Sequence, residues 1–260
     1  MSQIHIAAIL GLSLTFYGLT ACHAQNDTSQ KAQQQPKQQS SSKIQQDYQL
    51  STIAQFSEPW AIAALKDGHL LITERKGKLQ LFNPQTRQKV EVKGLPKVAY
   101  GGQGGLGDIA LHPQFAQNHQ VYISYAAAGQ GGYGAVVARG ELDLSNAKNP
   151  QLKNLKTIWQ QVPKVQGQGH YGHRLLFGSD GKLWISSGER QKFDPAQDMQ
   201  SNLGKILRLN DDGTPASGNP FMTQGEIAQQ VWSLGHRNPL GIAFDHKAQL
   251  WVAEMGPKGG

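Results

Sequence analysis

The sequence predicts an all-β protein of the β-propeller class, and three observations carry that reading. From Tyr48 onward no apolar period of 3.6 residues is sustained; short alternating runs bounded by Gly, Pro, Asn and Asp take its place. One unit, an apolar run followed by a polar turn and a second alternating run, recurs four times. Composition agrees, since 30 Gly and 12 Pro punctuate 260 residues of which only 17% are charged, excluding a long coiled coil or wholesale disorder.

The chain opens on an apolar stretch from Ile4 to Thr20, shorter and weaker than a membrane span and placed where a signal h-region sits. It ends in Leu19-Thr20-Ala21-Cys22, similar to the bacterial lipobox, although Met1 to His5 carries no Lys or Arg. Residues 1–21 are therefore read as a lipoprotein-type signal peptide and Cys22 as the lipidated residue. Residues 22–47 form a Gln/Ser-rich tract, too poor in apolar side chains to offset the entropy of ordering, and are read as a tether. This predicts an exported, periplasmic protein that meets the outer membrane only through a lipid anchor. Cys22 is the only cysteine, so there is neither an internal disulfide nor a thiolate metal cage. The net charge of +7 is diffuse, without the Lys/Arg cluster of a nucleic-acid footprint.

Residues 48–260 hold the repeats. Trp60–Leu65 turns through Lys-Asp-Gly into His69–Thr73, and Asp108–Leu111 through His-Pro-Gln-Phe into Val121–Ser124. Arg174–Phe177 turns through Gly-Ser-Asp-Gly into Lys182–Ser186, and Gly241–Phe244 through Asp-His-Lys-Ala-Gln into Leu250–Ala253. Each unit reads as a hairpin. Leu70, Val121, Leu183 and Leu250 are separated by 51, 62 and 67 residues, the size of a four-stranded blade with a long loop. A sandwich is the alternative, but it requires no recurring unit. About four such blades are expected, and Gly256 to Gly260 follow a strand as a loop, so the chain reads as part of a larger propeller.

Gly102-Gln-Gly104-Gly-Leu-Gly107 and Gly167-Gln-Gly169-His-Tyr-Gly172 match G-x-G-x-x-G in letters, but a strand rather than a helix follows each, which argues against a dinucleotide site. The second runs into Gly169-His170-Tyr171-Gly172-His173-Arg174, where either imidazole suits a general base at neutral pH and the His-x-x-His spacing leaves a metal pair as the competitor. Gly235-His236-Arg237-Asn238-Pro239 joins a cationic fork to a neutral amide, apt for a planar oxygen-rich ligand or, alone, for an Asn-Pro turn. Gly188-Glu189-Arg190 repeats the theme, with an ion pair between its two charges as the structural alternative. These polar loops occupy equivalent places in successive repeats.

Together, Pro59-Trp60-Ala61, Gly102–Leu106 with His112–Phe115, His170–Leu175, Gly188–Arg190, Leu203-Gly204-Lys205, Gly235–Pro239 and Glu254–Pro257 resemble the PQQ-dependent soluble glucose dehydrogenase and aldose sugar dehydrogenase family, the glucose/sorbosone dehydrogenases. The motifs run in order from about Phe56 to Gly260. The resemblance implies a six-bladed propeller enzyme that oxidises the C1 hydroxyl of an aldose to the lactone. Hydride would pass to pyrroloquinoline quinone (PQQ) held by Ca²⁺, and electrons then to a soluble or membrane acceptor. It implies His170 as the base, Glu189 as its orienting carboxylate where family members have Asp, and Gln103 beside sugar and quinone. Arg237 and Asn238 would contact the quinone, with Arg237 countering the negative charge that develops there. The backbone carbonyls of Gly256 and Pro257 would ligate Ca²⁺. Basic residues of later blades complete the quinone site in the family, so residues 1–260 by themselves are expected to bind cofactor poorly.

Two rival classes fit the fold alone: a non-catalytic extracytoplasmic binding propeller and a calcium-dependent propeller lactonase. The first needs no coincidence of Gln103, His170, Arg237 and Asn238, and the second wants carboxylate or amide side chains on an axial Ca²⁺.

Overall fold

The computed structural model describes residues 49–257. The signal peptide, the lipidation of Cys22 and the tether lie outside the described residues, as does Lys258.

All four expected hairpins form, and each opens a sheet. β1 (Pro59–Ala64), β2 (Leu70–Glu74), β3 (Lys78–Phe82) and β4 (Lys89–Val92) make the first blade in simple meander order. β5 (Leu106–Leu111), β6 (Gln120–Gly129), β7 (Gly132–Asp143) and β8 (Gln151–Gln160) make the second. β9 (Gly172–Phe177), β10 (Leu183–Ser187), β11 (Lys205–Leu209) and β12 (Val231–Leu234) make the third, and β13 (Pro239–Phe244) with β14 (Leu250–Glu254) makes a fourth, two-stranded sheet. Neighbouring first strands pack in sequence, β1 on β5, β5 on β9 and β9 on β13, so these strands line the axis of a propeller.

The period of two in the strands explains this stacking. Val121 and Ile123 of β6 enter the core shared with the first blade, whereas Tyr122 between them enters the core shared with the third. Leu71, Leu79, Val121 and Ile123 are fully enclosed on one side, and Leu183, Leu207, Leu209 and Val231 on the other. Each such side chain contributes roughly 1.5–3 kcal/mol relative to exposure. Asp108 staples blades two and three: its carboxylate accepts the N–H groups of Ile109 and Leu175, both at 2.9 Å, with Arg174 3.6 Å away.

The two glycine-rich segments lead into β5 and β9, not into helices, and they pack on each other. The Gln103 N–H donates to Gln168 O at 2.7 Å, and a Cβ at Gly102 would stand 2.5 Å from that same oxygen. Close backbone approach therefore accounts for the glycines.

In every opening hairpin the register slips at the same end. The irregularity falls at Pro59/Ala61, Leu106/Ile109, Ile185/Ser187 and Pro239/Gly241, always where the first strand begins. Bulges of this kind re-aim side chains. They gather the polar loops at one mouth of the propeller.

Candidate active site

His170 lies in the loop entering β9, and Glu189 in the loop leaving β10 of the same blade. His170 Nδ1 meets Glu189 Oε1 in a short hydrogen bond, with both side chains almost wholly buried. The other carboxylate oxygen accepts the N–H of Lys192 and, at 2.7 Å, that of Phe193. Burial alone would raise the Glu189 pKa; the Phe193 N–H, the His170 ring and the Lys192 N–H outweigh it and hold the carboxyl below its ordinary value. An ionised Glu189 makes Nδ1 the donor, so Nε2 is the ring nitrogen of His170 left to exchange a proton with a ligand. The longer side chain of Glu thus reaches the histidine while tying down its own loop.

His173, the other candidate base, has a different fate. It is buried against Tyr171, with ring centroids 5.2 Å apart, and edge-on to Trp60 at 5.9 Å. Burial, then the charges of Arg190, Arg174 and Arg75, push its pKa down to about 3. It stays neutral at working pH and has no orienting carboxylate, so of the two histidines only His170 is equipped as a base.

The ion pair between Glu189 and Arg190 does not form. Arg190 turns the other way, donating from Nε to Gly169 O at 2.8 Å, from Nη1 to Tyr133 O at 2.5 Å and from Nη2 to Gly167 O at 2.5 Å. Its guanidinium lies 3.8 Å over the Tyr171 ring, and its N–H donates to His170 O at 3.2 Å. Arg190 therefore wraps the segment that carries the base.

Gln103 reaches His170 from the second blade, its Oε1 accepting the His170 N–H at 2.7 Å. This orients the amide and leaves its NH₂ group available. Asn238 is held in the same manner, its Oδ1 accepting the Gly172 N–H at 3.1 Å. A cavity of about 270 Å³ opens beside these groups, lined by Trp60, Arg75, Gln103, His173, Asn238 and Met255 among others. His170, Glu189 and Arg237 are not in its lining.

Arg237 and the segment reaching Gly256 and Pro257 are locked together. Glu254 accepts the Arg237 N–H at 2.8 Å and meets His236 Nδ1 at 2.7 Å. Arg237 Nη1 donates to Met255 O at 2.6 Å, and the Met255 N–H to Asn238 O at 3.2 Å. Among the described residues no group of three His, Cys, Asp or Glu side chains is arranged to hold a metal, and the expected Ca²⁺ ligands are backbone carbonyls. Of the competing His-x-x-His pair, His170 commits Nδ1 to Glu189, whereas His173 stacks on Tyr171 with neither ring nitrogen hydrogen-bonded among the described residues.

Backbone strain marks the same place. Among the described residues, five of the ten non-glycine residues with positive φ, namely His170, His173, Arg190, Gln191 and Phe193, fall in these two loops or at the start of β9. Strain of this kind clusters where function requires a set geometry.

Sequence reasoning passed over Arg75. Its Nη2 donates to Gly102 O and, at 3.2 Å, to Gly104 O, and its guanidinium stands 5.4 Å over Tyr100. The signal was its position, directly after the second strand of the first hairpin, matching Gly188-Glu189-Arg190 in the third.

Comparison with known proteins places this geometry. The chain is 38% identical over 207 residues to aldose sugar dehydrogenase YliI of Escherichia coli, covering 78% of this chain and 54% of that protein. It is 27% identical over 231 residues to quinoprotein glucose dehydrogenase B of Acinetobacter calcoaceticus, covering 79% and 47%. The solved PQQ-bound aldose sugar dehydrogenase of Streptomyces coelicolor superposes with a TM-score of 0.71 at 35% identity, over 80% of this chain and 59% of that one. The chain spans about half the length of the curated relatives it matches. Because the model of the Glucose / Sorbosone dehydrogenase family matches residues 56–260, nearly the whole described region, this chain belongs to the glucose/sorbosone dehydrogenase family.

Proposed function

We propose that the protein carrying this chain oxidises the C1 hydroxyl of aldose sugars to the lactone in the periplasm, with PQQ and Ca²⁺ as cofactors. The observation that supports this reading most is the buried His170–Glu189 pair, set beside the oriented amides of Gln103 and Asn238. Glu189 holds the Nδ1 proton, and His170 Nε2 takes the proton of the sugar hydroxyl. The Gln103 NH₂ group donates to the substrate.

The donor set present here fits the quinone. Arg237 supplies a cationic fork of which only Nη1 is engaged, on Met255 O, among the described residues. Asn238 adds a neutral amide fixed through its oxygen. Such groups suit a planar ligand with carbonyl and carboxylate oxygens. PQQ, when bound, supplies the acceptor for the hydride that leaves C1. The carbonyls of Gly256 and Pro257 provide hard oxygen ligands for Ca²⁺, and the Arg237–Met255 bond keeps that segment close to Arg237. The signal and lipobox reading of residues 1–22 supports export and a lipid anchor, with reoxidation by a soluble or membrane acceptor.

The test uses the full-length protein purified without its leader and titrated with PQQ and Ca²⁺, while a panel of aldoses is assayed with a dye acceptor. Dye reduction that requires both additions is expected, together with its loss in His170→Ala. No quinone binding at micromolar concentration would overturn the reading in favour of a binding propeller, and lactone hydrolysis without dye reduction would favour a lactonase.

A further inference from the structure

Lys205 is the most completely enclosed cation of the described residues, with no exposed surface, yet it pairs with no carboxylate. Its Nζ donates instead to three carbonyls: Pro195 O at 2.8 Å, Ala196 O at 3.0 Å and Leu203 O at 2.8 Å. All three protons of an ammonium are thereby used. Burial lowers its pKa to about 8, with Asp198 opposing, so it is charged at neutral pH. Burying a cation is costly, and an apolar side chain would fill this strand position at less expense. What a hydrocarbon cannot do is cross-link a loop.

The loop it cross-links joins the two halves of the site. In the sheet register Lys205 stands between Ser187 and Leu234. Ser187 ends the strand that runs into Gly188-Glu189, and Leu234 ends the strand that runs into Gly235-His236-Arg237-Asn238. Ala196, gripped by Lys205, also accepts the Gly235 N–H at 2.9 Å, and Gly204 accepts the His236 N–H at 3.1 Å. A Cβ at Gly204 would come within 2.6 Å of Ala196 Cβ and of His236 O, so the two segments touch without slack. On the other side, the 3₁₀ turn Asp194–Ala196 follows directly from Phe193, whose N–H holds Glu189.

We infer that Lys205 is a positioning residue: its ammonium clamps the turn at Asp194–Ala196 onto Leu203 and, through the shared carbonyl of Ala196, sets the Glu189 loop and the Arg237–Asn238 loop in register with each other. Its effect on turnover rests on the function proposed above; its effect on the two loops does not. Hydrogen exchange of the full-length protein, without quinone or Ca²⁺, followed by mass spectrometry, therefore separates the two. In Lys205→Met, peptides covering 189–197 and 235–238 should both exchange roughly tenfold faster, with those from β5 to β8 unchanged. Ile206→Val, a loss of core volume at the neighbouring position, should lower global stability without that paired effect. In the loaded enzyme, Lys205→Met should lower kcat roughly 10- to 100-fold with little change in sugar KM. Loss of protection confined to 194–204 in a folded variant overturns the inference. Should Lys205→Met not fold, Lys205→Gln, which retains two donors on a shorter stem, is measured in its place. Wild-type exchange in low urea adds a test independent of any variant: the two segments must open together with 194–204, and separate opening overturns the inference. If exchange behaves as expected while sugar oxidation is absent in the wild type, the functional reading fails and the clamp stands.

Discussion

The main-chain N–H of Glu189 donates to the carbonyl oxygen of Arg237 at 2.9 Å. The carboxylate that orients His170 and the guanidinium proposed to face the quinone are thereby parts of one hydrogen-bonded unit. Lys205 and Arg190 hold that unit from behind, through five carbonyls of Pro195, Ala196, Leu203, Gly167 and Gly169 and a sixth from Tyr133.

His170→Ala should lower aldose oxidation by roughly 10²–10⁴-fold, the usual contribution of a positioned base. Its fold should persist, since Gln103 bonds the His170 backbone and not its ring. Steady-state rates beside quinone titration by fluorescence check this; unchanged turnover in a variant that binds quinone would remove His170 from the role of base.

Glu189 links stability to acid. Its folded-state pKa lies below the ordinary value of 4.5, so the stabilisation is fully present above that value and is lost as pH falls through the folded value. Glu189→Gln should flatten this limb and also cut turnover, because the amide no longer holds a charged acceptor to His170 Nδ1. Urea midpoints at about pH 7 and about pH 3.5 for both proteins test it.

His173 acts in an overlapping window by a different route. Burial and three arginines set its folded pKa near 3 against an ordinary 6.5. Between those values only the unfolded chain binds the proton, so stability falls with falling pH by roughly 1.4 kcal/mol per unit. His173→Phe, which retains an aromatic ring on Tyr171 and Trp60, should remove that slope. An unchanged slope between about pH 4 and about pH 6 would assign the effect to other groups.

Arg190→Lys should retain the charge but lose the fork, since one ammonium cannot reach Gly167, Gly169 and Tyr133 together or stack on Tyr171. Destabilisation of roughly 2–4 kcal/mol is expected, with Arg190→Met worse because the carbonyls are left unpaired. Denaturant unfolding measures the first, and loss of kcat in excess of the loss of folded protein shows that His170 has moved.

Sequence periodicity by itself determined the hairpins, their recurrence and the predominance of strand over helix among the described residues, because alternation of side chains along a strand is a local property. The order of motifs likewise marked Gln103, His170, Glu189, Arg237 and Asn238 as the residues to watch. Tertiary structure decided what each one does. Local spacing put His170 and His173 on equal terms and left an ion pair with Arg190 as the alternative for Glu189, which only the family resemblance assigned to the base. Only the fold separates them: Trp60 of the first blade packs edge-on against His173, two loops of the third blade bring Glu189 to His170, and Arg190 turns to carbonyls that include Tyr133 of the second blade. Lys205 and Arg75 were invisible as site residues for the same reason. Apart from Glu58, which Arg75 meets at 3.3 Å, their partners are backbone carbonyls, which carry no identity in a sequence and acquire a direction only when loops from separate strands are brought together.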